Sequence, residues 1–210
     1  MTAYPVHYSV AQPVRFDRLQ LLVRLVAFCA LGLLGLSFGL VFFFAYLALP
    51  VFAASRLTQE RGASAYAAQE GPRVITALRW LASVSAWAAL VADRLPGRAP
   101  EENVLLTVEG TTRPTAASAI WRVISGLPSA LVLAILGWIG VLVWIWAAVS
   151  VLLFERVGPG AFDYLVGLQR WSIRLLAYQA SLVDEYPPFS FADSSAGTAP
   201  PALPMPGAQA

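Results

Sequence analysis

Few side chains in this chain are equipped for chemistry. There is one histidine, His7, one cysteine, Cys29, twelve carboxylates and fourteen basic residues, every one of them arginine. His7 lies in a short alternating segment and is read as structural or solvent-facing, not as a base or a ligand. Cys29 sits inside an apolar run with no Cys or His at metal-ligand spacing, so it is read as a small lipid- or core-facing residue. No HExxH, GxSxG, phosphate loop or Cys/His cluster occurs. The chain is therefore expected to be non-enzymatic, with no catalytic set, cofactor or metal.

The chemistry that remains belongs to arginine. At 100° per residue, Asp163, Gly167, Arg170, Arg174, Ser181 and Glu185 fall on one narrow stripe of an otherwise apolar helix. An earlier helix carries Thr76, Arg79, Ser83 and Arg94 in the same way. An arginine in an apolar setting needs a partner or a hydrated cavity. In the second half Asp163 or Glu185 is placed to supply one, Asp163 to Arg170 as a buried ion pair. Glu101-Glu102 reads as a solvated linker pair. Asp184-Glu185-Tyr186-Pro187-Pro188-Phe189 reads as a clamp at a helix end, its two prolines fixing the chain's exit.

The elements around these residues are membrane-like. Hydrophobic residues make up 58% of the chain and charged ones 12%, about half the charge of an ordinary soluble domain. Net charge is only +2 and no basic stripe is visible, which argues against nucleic acid as a partner. Residues 25–54 and 129–154 are free of charge and long enough to cross a bilayer. The first run starts too late and is too long for a removable signal peptide. Residues 55–72 read as a polar connection, and Gly158-Pro159-Gly160 as a turn. Tyr4, Val6, Tyr8 and Val10 alternate, and residues 103–112 are strand-like again. Asp17 is placed to cap the helix that follows. Residues 191–210 are rich in Pro, Ala and Gly and are expected to be disordered.

Laid over itself, the chain repeats. At an offset of 98, Val6, Val10, Arg15, Arg24 and Gly39 fall on Val104, Val108, Arg113, Arg122 and Gly137. At an offset of 91, Arg79-Trp80, Ala86, Asp93 and Pro96 fall on Arg170-Trp171, Ala177, Asp184 and Pro187. The expected fold is an all-α integral membrane protein of two tandem repeats, residues 1–97 and 98–190. Each repeat holds a strand-like segment, a transmembrane helix and an amphipathic or re-entrant helix. For residues 74–92 re-entry or crossing is favoured, and for 161–183 partial or interfacial burial, although a repeat should use one solution twice. If each half is a hairpin, counting arginines by side puts Arg15, Arg18, Arg24, Arg94, Arg98, Arg113 and Arg122 opposite Arg56, Arg61, Arg73 and Arg156. That count places both termini in the cytoplasm.

Phe162-Asp163-Tyr164, Gly167, Arg170-Trp171, Arg174, Ala177-Tyr178, Asp184 and Tyr186-Pro187-Pro188-Phe189 together resemble the bacterial membrane proteins of the domain-of-unknown-function family numbered 4389. The resemblance covers about residues 4–190 and includes the N-terminal Tyr-Pro-Val and the tandem arrangement. The first copy lacks the Phe-Asp-aromatic start and ends in Asp93-Arg94-Leu95-Pro96. The resemblance implies a fold unit and no activity. The expected function is a structural or accessory subunit of a larger assembly in the bacterial cytoplasmic membrane, with lipid and other membrane proteins as partners. The alternative is a small transporter or lipid-handling protein with its site at the repeat junction. Either way, the residues expected to make the contacts are Arg79, Trp80, Asp163, Arg170, Trp171, Arg174, Asp184, Tyr186, Pro187, Pro188 and Phe189.

Overall fold

A computed structural model describes residues 4–192 apart from 36, 60, 61, 110 and 111. The fold is mostly helical: β1 (Val6–Ser9), α1 (Arg18–Leu33), α2 (Phe38–Gln59), α3 (Ala63–Gln69), α4 (Gly71–Ala88), β2 (Leu105–Val108), α5 (Ala116–Ser125), α6 (Leu127–Phe154) and α7 (Pro159–Gln179). The disorder expected of the C-terminal tail concerns residues that, beyond Ala192, lie outside those described.

The two strand-like segments pair with each other. β1 and β2 form an antiparallel ribbon with Val6 opposite Val108 and Ser9 opposite Leu105. Alternation puts Val6, Tyr8 and Leu106 on the buried side. The fold is therefore not all-α, and this ribbon joins the N-terminal half to the C-terminal half.

Local signals set most helix starts. The Asp17 carboxylate accepts a hydrogen bond from the Leu19 amide and caps α1, as its position predicts. Thr115 and Ser118 form a reciprocal capping box at α5. Pro159 occupies the first turn of α7, where its missing N–H costs nothing, so Gly158-Pro159-Gly160 begins a helix instead of making a turn. The turn itself lies at Glu155, whose φ is 57°. The connection over 55–72 is largely helical, because α2 runs on to Gln59 and the alanine-rich α3 follows.

The first apolar run does not form one span. It divides at Gly35, in the left-handed region at φ 69°, into α1 and α2. Among the described residues, the two helices long and apolar enough to cross a membrane are residues 39–59 and α6. At 28 residues, α6 is about 42 Å long, more than a bilayer core of about 30 Å requires. α1 packs on α6, while α5 packs on α2. The main apolar core lies between these helices, α4, α7 and the ribbon.

α7 is the central helix. Its Leu165, Trp171, Ile173, Leu175 and Leu176 are buried, and it touches α6, α4, α2, α5 and β1. The middle of the stripe turns inward, with Gly167, Arg174 and Ser181 buried and Arg170 half-buried, while Asp163 and Glu185 at its two ends are exposed. The count of arginines by side also loses its basis. Arg15 and Arg18 pair with Glu155, and the Phe16 amide bonds the Glu155 carbonyl. Residues assigned to opposite sides meet at one end of α6.

Candidate functional site

The arginines are held by backbone carbonyls. Arg24 on α1 is fully buried; its Nε donates to the Trp87 carbonyl at 2.7 Å, and Nη2 donates to the Ala92 and Asp93 carbonyls, both at 2.5 Å. Burial pulls its pKa down to about 10, so it stays charged at neutral pH. Arg122 on α5 does the same to the other half. Its Nη1 donates to the Tyr178 carbonyl at 2.7 Å and to the Val183 carbonyl, and Nη2 meets the Asp184 carboxylate at 2.7 Å. Each guanidinium also lies over an aromatic ring, Arg24 over Trp87 at 5.3 Å and Arg122 over Tyr178 at 4.6 Å.

Both clamps close on the same kind of helix end. After α4 the chain turns at Leu90, φ 59°, and after α7 at Ser181, φ 57°. In each case an amide two residues past the helix cap returns to the helix, Val91 to the Ala86 carbonyl and Leu182 to the Ala177 carbonyl. Glycine normally fills such a left-handed position. The Ser181 hydroxyl, moreover, is buried without a hydrogen-bond partner among the described residues. Ser181→Gly is therefore expected to raise stability by about 1 kcal/mol. Thermal unfolding in mild detergent reads this as a higher midpoint; a lower one would mean that the hydroxyl has a role the geometry does not reveal.

A second pair of arginines crosses between halves. Arg79 Nε donates to the Leu106 carbonyl on β2 and Arg170 Nε to the Tyr8 carbonyl on β1, each at 3.0 Å. Arg79 adds an ion pair to Glu101 at 3.5 Å, so Glu101 is not a free linker charge. Arg174 is fully buried, donates to the Ala192 carbonyl at 3.1 Å, and lies 5.5 Å from the Tyr4 ring. Burial raises the pKa of both Tyr4 and Tyr8, which keeps their hydroxyls protonated. Asp163 departs from expectation. It is exposed and takes part in no ion pair among the described residues, because Arg170 turns instead to Tyr8 and to the Phe191 carbonyl at 2.6 Å.

The segment after α7 straps back over that helix. Tyr186 shares a hydrogen bond with the Ser129 hydroxyl at 2.7 Å, and Pro187 is buried. Trp171, 4% exposed, meets Phe189 and Phe191 edge-on at 5.3 and 6.1 Å. Gly167 is where Phe191 comes down: a Cβ there would stand 2.6 Å from the Phe191 side chain. The Gly-x-x-Arg-Trp spacing thus serves the strap. Trp80, at the matching place on α4, is 36% exposed.

Sequence reasoning singled out Arg79, Arg170, Arg174 and Asp184 but not Arg24, Arg122 or Phe191. The signal for the first two was present, since Arg24 and Arg122 coincide when the halves are superimposed. No curated protein and no solved structure matches the chain. Residues 116–190, from the first residue of α5 to the one after Tyr-Pro-Pro-Phe, match the family model described as a domain of unknown function (DUF4389).

Proposed function

We propose that this is an integral protein of the bacterial cytoplasmic membrane, built from two tandem copies of one unit, acting as a non-enzymatic structural or accessory subunit. The observation that carries the reading is the unpartnered apolar surface of α6. Only 17% of its most apolar window is buried, with Leu131, Trp138, Leu142, Trp146 and Phe154 all exposed. A helix in the core of a soluble protein is mostly covered, and a contiguous apolar surface of this extent calls for lipid or another protein. Support for duplication is the paired geometry: Arg24 and Arg122, Leu90 and Ser181, Arg79 and Arg170 make corresponding contacts at the offsets read from the sequence. Support for a structural role is that these arginines are engaged by the fold itself.

Two measurements test the reading. The protein is expected to resist alkaline carbonate extraction from membranes, and native mass spectrometry in mild detergent is expected to find it bound to other membrane proteins. Release by carbonate would refute the membrane placement, and monomer alone at native expression levels would refute the subunit role. One observation favours the transporter alternative: Arg170, Asp163, Tyr164, Val166 and Phe191 line an open groove of about 490 Å³. Under that alternative Arg170→Lys changes transport or lipid binding; under the structural reading it changes only stability.

A further inference from the structure

The C-terminal end of α6 gathers arginines from two parts of the chain. Arg15 and Arg18 come from the segment entering α1, and Arg156 from the turn after α6. A single carboxylate, Glu155, holds the first two. The hydrogen bond from Arg15 keeps the Glu155 carboxyl below its usual range, with the Arg15 and Arg18 charges adding to the effect. Arg156 is exposed and has no hydrogen bond or ion pair from its side chain among the described residues. Two other carboxylates lie close by, and both are engaged by backbone amides: Asp17 by Leu19, and Asp93 by Asp17. The side chains of Arg15 and Arg18 remain 77% and 53% exposed.

What surrounds this cluster is apolar. Leu152, Leu153 and Phe154 at the end of α6 are exposed, as are Val14, Leu19 and Leu22 from the approach to α1 and its first turns. Guanidinium edges directed outward from an apolar rim match one chemistry in a membrane: a phosphate ester whose attached chains lie along the rim. A free anion would gain nothing from the exposed leucines, and the trimethylammonium of a zwitterionic headgroup would be repelled by the exposed guanidiniums of Arg15, Arg18 and Arg156.

We propose that the end of α6, with Arg15, Arg18 and Arg156, is a binding site for the headgroup of an anionic phospholipid. The inference rests on the membrane reading above, but the two fail separately, because carbonate extraction tests that reading alone. The experiment is native mass spectrometry of the full chain in mild detergent, with phosphatidylglycerol or phosphatidylcholine added in equal amounts. Phosphatidylglycerol adducts are expected to dominate. The Arg15→Gln/Arg156→Gln variant is expected to lose the preference by about 5-fold for each arginine removed. Arg15→Lys/Arg156→Lys is expected to retain most of it, which separates loss of charge from loss of fold. Equal binding of the two lipids by the unaltered protein would overturn the proposal. So would a preference that survives in the glutamine variant, or one that free glycerol phosphate abolishes at the lipid's own concentration.

Discussion

Arg122→Gln is expected to lower stability by about 3–5 kcal/mol, the range for removing one partner of a buried charged network. The variant leaves the Tyr178 and Val183 carbonyls without their charged donor and the Asp184 carboxylate without its nearest cation. Arg122 itself is 5% exposed, so water does not readily replace it. Arg122→Lys is expected to rescue little, because an ammonium is a point charge and cannot span three acceptors as a planar fork does. Arg73→Gln supplies the contrast. Its side chain is 75% exposed, and its partner Glu70, though buried, keeps Arg56 at 3.7 Å, so the expected change is within about 1 kcal/mol. Thermal unfolding in detergent compares the three variants. Equal midpoints for Arg122→Gln and Arg73→Gln would contradict the clamp.

Trp171→Ala is the second large effect. Removing a buried indole costs about 3–5 kcal/mol in general. Here it also takes away the surface on which Phe189 and Phe191 rest, so the strap from Asp184 to Ala192 should become open to proteases. Trp80→Ala, the matching change in the first half, should cost about 1 kcal/mol or less, since Trp80 is partly exposed. Limited proteolysis with mass analysis of the cut sites distinguishes the two. A strap as resistant in Trp171→Ala as in the unaltered protein would show that Tyr186 and Pro187 hold it without the tryptophan.

Much of the helix framework could be read from residue order. The capping role of Asp17 and the charge-free length of α6 are local properties. The stripe on α7 was visible as a periodicity, and its arginines were correctly marked as needing partners. Their partners were not legible, because main-chain carbonyls of β1, β2 and the strap carry no side-chain signature. For Arg170 the sequence displays Asp163, because a carboxylate is a partner that residue type reveals; the carbonyls of Tyr8 and Phe191 are not. The β1–β2 pairing was hidden for a related reason. Alternation marks a strand but not its neighbour, and these two lie almost a hundred residues apart. The break at Gly35 was missed because an apolar run of thirty residues shows its composition more clearly than a single positive φ. The inward turn of α7 follows from packing on four other helices, which no periodicity within α7 encodes.

The central claim is that the two halves clasp each other through the ribbon and the arginines that grip it. Its most direct test is a disulfide across the ribbon. His7 faces Thr107, and paired residues in an antiparallel ladder lie about 5.5 Å apart at Cα, within the range a disulfide spans. With Cys29 replaced by Ser, the His7→Cys/Thr107→Cys protein should crosslink rapidly and completely within one chain under mild oxidation. The His7→Cys/Leu105→Cys protein, two residues out of register, should not. Equal crosslinking of both pairs, or none in the first, would contradict the account.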